Sequence, residues 1–387
     1  MSRATAALLA HSVLTQVITF LLRPATTYRA LEIDTPAAWL GVLSACFAIA
    51  PLVLALPSGA VVDRIGERGT ALIGALTVTS SALLLTVSGD SVAGLAAGTC
   101  LLGVGHLGSV VSQQTLVANS TTKNGRLDSA FGYYTFAASL GQAIGPAALV
   151  LFTDGGTLPD TQQIFVSCVV AAVVLVLLSA LLRGPGRRSR AGEGPEQTGL
   201  RALLGLPGLG QALLTSSVII AAVDITLVYL PALGAERNIE ASLIGVLLTV
   251  RAVSSMTTRL FLGRLTAGFG RRRVLVSSTL LAAVALLLTA LPVPFPLAVV
   301  LMVLAGLGLG AGQPITMSWL AASAPSGARG RAMSLRLVGN RAGQVVIPSA
   351  AGILAAGTGA AGVLGITGAG LALIAFNARH LPVDDAP

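Results

Sequence analysis

The sequence predicts an all-α membrane protein with twelve transmembrane helices in two six-helix bundles, and three observations predict it. Apolar stretches of membrane length recur along the whole chain. Basic residues collect in alternate connections between those stretches. The second half repeats landmarks of the first at a nearly constant offset.

Composition sets the solvent. Of 387 residues, 54% are hydrophobic and 10% are charged, against roughly a quarter charged in an ordinary soluble domain. So little charge cannot cover a fold in water, and lipid is the expected solvent. Aromatic residues are scarce and glycines abundant, which suits helices that approach each other closely in a bilayer. The +9 formal charge is dispersed in short clusters between apolar runs, so no nucleic-acid partner is expected. Cys46, Cys100 and Cys168 lie in apolar stretches without metal-ligand spacing and read as small buried hydrophobes. The run Ala6 to Leu22 follows a single early Arg3 and lacks a convincing small-residue cleavage site. It reads as a first membrane helix rather than a signal peptide.

A spanning helix needs about 20 mainly apolar residues. On that measure spans fall near 6–30, 37–60, 70–89, 93–117, 126–151 and 163–182. After a break they continue near 207–232, 240–262, 273–291, 297–322, 331–356 and 360–378. The break, beginning at Arg183 and including Arg187, Arg188 and Arg190, is basic and rich in Gly and Pro, the composition of a flexible linker. The expected domains are an N-terminal bundle over 1–183, a cytoplasmic linker over 184–206, and a C-terminal bundle over 207–387 ending in a short cytoplasmic tail.

Loop charge sets orientation. With both termini inside, eighteen basic residues fall on the inner side, among them Arg64, Arg68, Lys123, Arg126 and Arg271 to Arg273. The outer loops hold only Arg29 and Arg237, at helix ends, together with Asp90, Asp154 and Asp160. A multi-pass protein of the cytoplasmic membrane, with cytoplasmic termini, is expected.

The repeat divides the chain. Gly41, Gly59, Gly66 and Arg68 recur 204 residues later as Gly245, Gly263, Gly270 and Arg272. Gly125 and Arg126 answer Gly330 and Arg331. Gly141, Gln142 and Pro146 answer Gly343, Gln344 and Pro348. Matches in register across loops and helices indicate duplication of a six-helix unit.

Gly59, Asp63, Arg64, Gly66 and Arg68 stand between the second and third spans. Their spacing resembles the signature loop of the major facilitator superfamily, usually written G-x-L-a-D-r-x-G-r-k/r, with Val61 for the usual Leu and Glu67 for a common Arg. The second copy has Ala267 in place of the acid. The glycines permit a tight turn and close backbone approach. Asp63 can pair with Arg64 or Arg68, or face a helix N-terminus. Such a latch would hold the halves together on the inner side, whereas the arginines also serve topology. The resemblance implies a substrate site between parallel six-helix halves near the bilayer midplane. In the fifth span Gly141, Gly145 and Pro146 resemble the G-x-x-x-G-P core described for exporters of this superfamily, although close packing alone accounts for such spacing.

The remaining basic residues are Arg23, Arg251, Arg336 and Arg341, deep within spans and faced by one intramembrane acid, Asp224. Ionisable groups there cost roughly 2.5–3.5 kcal/mol each on insertion scales and usually meet a partner or an aqueous cavity. Asp224 is expected to neutralise Arg251 or Arg341. The resemblance places these charges near the pathway. Arg336 and Asn340 share a helix face, with Arg341 beside them. Tyr28, Gln113, Gln142 and Gln344 complete the candidate substrate-binding set, with Gln114, His106 and Gln313 as further hydrogen-bonding candidates. Arg336 can instead snorkel, and Arg23, followed by Pro24, can be structural.

These features imply a secondary active transporter of a small organic molecule, working by alternating access with proton-coupled export (efflux by antiport). The proton-coupling candidate is Asp224. The alternative is an importer or exchanger of organic anions at an arginine-lined site. No phosphate loop, nucleophile elbow or metal cluster is present in the sequence, so no enzyme, metal or cofactor is expected. The expected partners are a small substrate that can be anionic, the proton and the lipid bilayer, and a monomer is the expected unit.

Overall fold

The structure is a computed structural model that describes residues 3–120, 127–182, 206–323 and 329–379. The expected linker 184–206 lies almost wholly outside the described residues, as does the side chain of Asp63. The described residues form ten α-helices and no strand. They are α1 (Arg3–Glu32), α2 (Ala37–Ser88), α3 (Val92–Ser120), α4 (Leu127–Ala147) and α5 (Thr161–Leu181), then α6 (Leu209–Glu236), α7 (Ala241–Phe269), α8 (Arg271–Thr289), α9 (Phe295–Ser323) and α10 (Arg329–Ala378). A short 3-10 turn, Ala148–Phe152, follows α4 just past Pro146.

Two of these helices are bent pairs. α2 breaks at Gly66, with φ 81° and ψ 164°, and α10 breaks at Gly359, with φ 64° and ψ −173°. Eleven stretches among the described residues are long and apolar enough to cross a membrane, and α2 supplies two of them, Ala37–Leu54 and Arg64–Ser88. The last, Leu335–Ala378, has 44 residues and runs across Gly359. The other ten stretches overlap the spans expected from hydropathy, with boundaries that differ by up to seven residues, as at Tyr133 and Phe269.

The helices are apolar on both faces, as lipid-spanning helices must be. On α5, Ile164, Phe165, Cys168, Ala172 and Leu175 are buried, while Val166, Val170, Leu177 and Leu181 lie exposed on the opposite side. Exposed valine and leucine are costly in water and match hydrocarbon. Hydroxyls inside the helices close onto carbonyls one turn back, as Thr15 does on His11 at 2.7 Å and Thr226 on Ala222 at 2.7 Å. No polar group is thereby left facing lipid at those positions.

One end of the molecule is tied together by loop contacts, and it is called here the Asp90 end. Arg29 bonds Asp90 and, at 2.7 Å, Glu32, and Glu32 accepts from Thr161 at 2.7 Å. Asp160 caps α5 by accepting from the Gln163 amide at 2.8 Å. Arg237 donates to the carbonyls at and just past the end of α8, those of Thr289, Ala290 and, at 2.8 Å, Leu291. The guanidinium there satisfies groups that a helix C-terminus leaves without partners. Glu236 accepts from the Ala360 amide at 2.9 Å, directly after the break at Gly359. The Ala241 amide reaches the Gly156 carbonyl at 3.0 Å. The two arginines that the loop count left on this end thus have local work.

Helices also approach each other closely near this end. A Cβ at Gly41 would lie 2.1 Å from the Pro348 carbonyl oxygen, and one at Gly245 would lie 2.8 Å from that of Pro146. α2 is thereby pressed on α10, and α7 on α4. At the opposite, Gly66 end, Gly66 and Gly270 share the same φ of 81°, a left-handed conformation that glycine adopts without cost. Gly59 lies within α2.

Candidate functional site

The core of the molecule holds one charged chain of contacts. Arg23, on α1, donates from Nη1 to Asp224 Oδ1 at 2.6 Å, and both side chains are nearly inaccessible, at 4% and 5%. The second carboxylate oxygen accepts from Gln344 Nε2 at 2.7 Å. Gln344 in turn accepts from Arg341 Nη1 at 3.0 Å. One carboxylate on α6 therefore ties α1 to α10, and both its oxygens are occupied. The expectation that Asp224 pairs with Arg251 or Arg341 is corrected: its ion-pair partner is Arg23, and Arg341 reaches it only through Gln344. The side chain of Arg23 lies over the Phe47 ring, 4.6 Å from its centroid, a cation–π contact that covers part of the guanidinium.

Packing fixes each of these helices in place. α4 seats Gly141 on the Val13 carbonyl and Gly145 on the Val17 carbonyl of α1, the helix that carries Arg23. The stretch that resembles an exporter motif is thus used in packing. On the other side, Gly306 of α9 lies against the Arg251 carbonyl, and Ser255 and Thr258 of α7 bond α9 carbonyls at 2.9 Å. α7 is thereby pinned where it carries Arg251.

Arg251 is 3% exposed, and no hydrogen bond reaches its side chain among the described residues. It lies within electrostatic reach of Asp224, Arg23 and Arg259. Arg341 feels Asp224 and Arg23 in the same way. The three arginines therefore share one carboxylate.

Arg336 belongs to a neighbouring polar group. It donates to the Gln313 carbonyl at 3.1 Å and to the Gln313 side chain. Gln313 donates to the Ser216 carbonyl at 2.7 Å, and Ser216 donates to Asn340 Oδ1 at 2.7 Å. Arg336 and Asn340 share one face of α10, as their spacing of four required. Snorkelling is not needed to explain Arg336, because a glutamine answers it.

The other candidates are dispersed. Gln113 donates to His11 Nδ1 at 2.7 Å and to Thr15 at 3.1 Å, and His11 Nε2 faces Ser179 Oγ at 2.8 Å. This buried network joins α1, α3 and α5, and no hydrogen bond among the described residues links it to Asp224. His106 accepts from Gln16 at 3.3 Å and packs on Phe47, ring centroids 5.4 Å apart. Tyr28 is fully buried, its hydroxyl without a partner among the described residues. Gln142 is half-buried on α4. Arg64 and Arg68 are exposed at the Gly66 end, as topology requires. Phe47, Gln16 and Ser216 complete these clusters without having been expected. Each sits in an apolar run or among many serines, and only tertiary packing gives it a role.

Arg23, Asp224 and Arg251 are buried, and Arg341 is half-buried. Two pockets lie at the Asp90 end, one lined by Arg29, Glu32, Asp160 and Thr161, the other by Arg237, Glu240 and Phe295. The three cysteines are free, and no group of His, Cys, Asp and Glu among the described residues could hold a metal.

Apolar helices of membrane length around a central charge cluster make a multi-pass membrane protein of the transporter class. The family model for the Major Facilitator Superfamily matches residues 8–237 and 212–387, and the chain belongs to that superfamily. It is accordingly a transporter rather than an enzyme. No curated protein matches the sequence. Among solved structures, the fold is similar to a point mutant of the nucleoside transporter NupG, with a TM-score of 0.82 at 15% identity, covering 98% of this chain and 100% of that one. It is also similar to a D-xylose-proton symporter, with a TM-score of 0.80 at 13% identity and 99% of each chain covered. A third neighbour, the xylose transporter XylE from E. coli in its inward-open conformation, has a TM-score of 0.73 at 14% identity, covering 98% and 96%. At these identities the likeness is one of fold.

Proposed function

We propose that this chain is a twelve-span secondary transporter of a small organic molecule, whose two six-helix halves rock about a central site under control of Asp224. The observation that carries the reading is the buried Arg23–Asp224 pair, which joins residues on either side of the 184–206 stretch. Twelve spans follow if the 44-residue stretch is two. A bilayer core needs about 20 residues, and Gly359 breaks the helix where Glu236 caps the Ala360 amide. The halves are then 1–183 and 207–387. Their pseudo-two-fold is supported by two reciprocal contacts, Gly41 on the Pro348 carbonyl and Gly245 on that of Pro146. These four residues are the pairs that the repeat matched. They hold the Asp90 end shut, so this is the state closed on the outer side. The loop charges put that end outside the cytoplasmic membrane, with both termini within. The monomer contains the whole site.

Proton coupling follows from what Asp224 does. Ionised, it binds Arg23 and Gln344 together. Protonated, it loses the charge-assisted bond to Arg23, and α1 is released from α6 and α10. Asp63 would add a latch at the inner end, paired with Arg64 or Arg68. The Gly141–Pro146 stretch offers nothing beyond packing to favour efflux over uptake, and one fold neighbour bears the name of a proton symporter.

Reconstitution into proteoliposomes tests the reading. A nucleoside, a pentose, an amino acid, a dicarboxylate and a phosphate ester, each radiolabelled, are offered with and without a pH gradient. Saturable flux of at least one, driven by the gradient in the parent and uncoupled from it in Asp224→Asn, is expected. Gradient-driven flux unchanged in Asp224→Asn would rule out Asp224 as the coupling group.

A further inference from the structure

The arginines that the ion pair leaves unanswered point to a ligand. Asp224 is the one buried carboxylate among the described residues, and both its oxygens are engaged by Arg23 and Gln344. Arg336 is answered twice by Gln313. Arg251 makes no side-chain hydrogen bond among the described residues: it is 3% exposed, its backbone is fixed by Gly306, and its Nε has no acceptor there. Arg341 makes a single bond, to Gln344, and its Nε also lacks an acceptor. Both feel the same Asp224, and Arg259 adds further positive charge beside Arg251.

We propose that Arg251 and Arg341 together seat the carboxylate or phosphate group of a small organic anion, which is the transported substrate. A buried guanidinium without a counter-charge is strongly unfavourable in a bilayer interior. It persists where a ligand supplies the missing charge. The planar fork of Nε and Nη matches two oxygens of a carboxylate or phosphate side-on, and in both residues Nε is the donor left over. With Arg23 already neutralised, the surplus on Arg251 and Arg341 favours a dianion over a monoanion. Only the word substrate rests on the transport reading; the seat itself is tested by binding.

The test uses the full chain in detergent, with thermal unfolding followed against succinate and glycerol 3-phosphate. Succinamide, glycerol and tetraphenylphosphonium serve as neutral and cationic comparisons. At least one dianion is expected to raise the Tm saturably, its rank against the other distinguishing carboxylate from phosphate, and the comparisons are not. Arg251→Met and Arg341→Met should each weaken binding at least ten-fold, Arg251→Lys less, and the surface change Arg264→Gln not at all. Without ligand, Arg251→Met should raise the Tm, because it removes a charge that nothing neutralises; an arginine serving structure alone would lower it. If Arg251→Met does not fold, Arg251→Lys and Arg341→Met carry the test. Equal stabilisation of parent and arginine variants, no stabilisation by either dianion, or stabilisation by tetraphenylphosphonium alone would overturn the seat. Flux of a neutral solute without dianion binding removes the seat and leaves transport standing. Dianion binding at these arginines without flux of any probe does the reverse.

Discussion

At the scale of residues, the organising contact is a carboxylate shared by two donors from two helices. Breaking a buried pair by removing one partner costs about 3–5 kcal/mol, whereas replacing both partners with apolar groups is close to neutral. Asp224→Ala is therefore expected to lower the unfolding temperature markedly, and the double variant Arg23→Met/Asp224→Ala to recover most of the loss. Calorimetry in detergent reads the coupling between the two sites. Simple additivity of the two single changes would mean that the pair does not act as a unit. The residues were legible before their partners were. Arg23, Asp224, Arg341 and Gln344 stand out because charge and amides are rare inside apolar spans. Which arginine meets Asp224 was not legible, since Arg23 is 201 positions away and no periodicity reports how two distant helices are turned. Phe47 carried no signal because an aromatic in an apolar run is ordinary.

Elements are governed by bilayer thickness and by glycine. Hydropathy places the spans well, because length and apolarity are properties of one segment alone. The junction at Gly359 is harder to read. Gly357, Gly359 and Gly362 are spaced like packing glycines, and the cap that starts the next limb comes from Glu236 on another helix. Arg29 and Arg237 look like exceptions to the charge rule until their carboxylate and carbonyl partners are seen. The reciprocal contacts of Gly41 and Gly245 give a direct expectation. Gly41→Leu and Gly245→Leu force a side chain into a backbone carbonyl, and overpacking of this kind costs typically about 1–3 kcal/mol. Gly370→Ala, with nothing within 4 Å of its Cβ, should gain up to about 1 kcal/mol from helix propensity. Thermal unfolding of the three variants checks the ranking. Leucine tolerated at Gly41 without loss would show that α2 and α10 are not held this closely.

The whole molecule is a superfamily fold with a small charge cluster where α1, α6 and α10 meet. Its class was readable from composition, loop charge and the Gly59–Arg68 loop, because the first two reflect the bilayer and the third matches the superfamily's signature. The conformation was not readable, since sequence does not report how distant helices meet. In the structure, contacts between helices tie the Asp90 end together. If Asp224 couples the two halves, neutralising it should shift the population toward a state open at that end. Spin labels at Asp154→Cys and Leu291→Cys span the Asp90 end, and labels at Arg68→Cys and Phe269→Cys span the opposite end, with Cys46, Cys100 and Cys168 replaced by Ala. Pulsed electron–electron distances in nanodiscs then compare the parent with Asp224→Asn at one pH. The distance across the Asp90 end should lengthen while the other shortens. If neither distance changes, or both move in the same direction, Asp224 does not control alternation between the two halves.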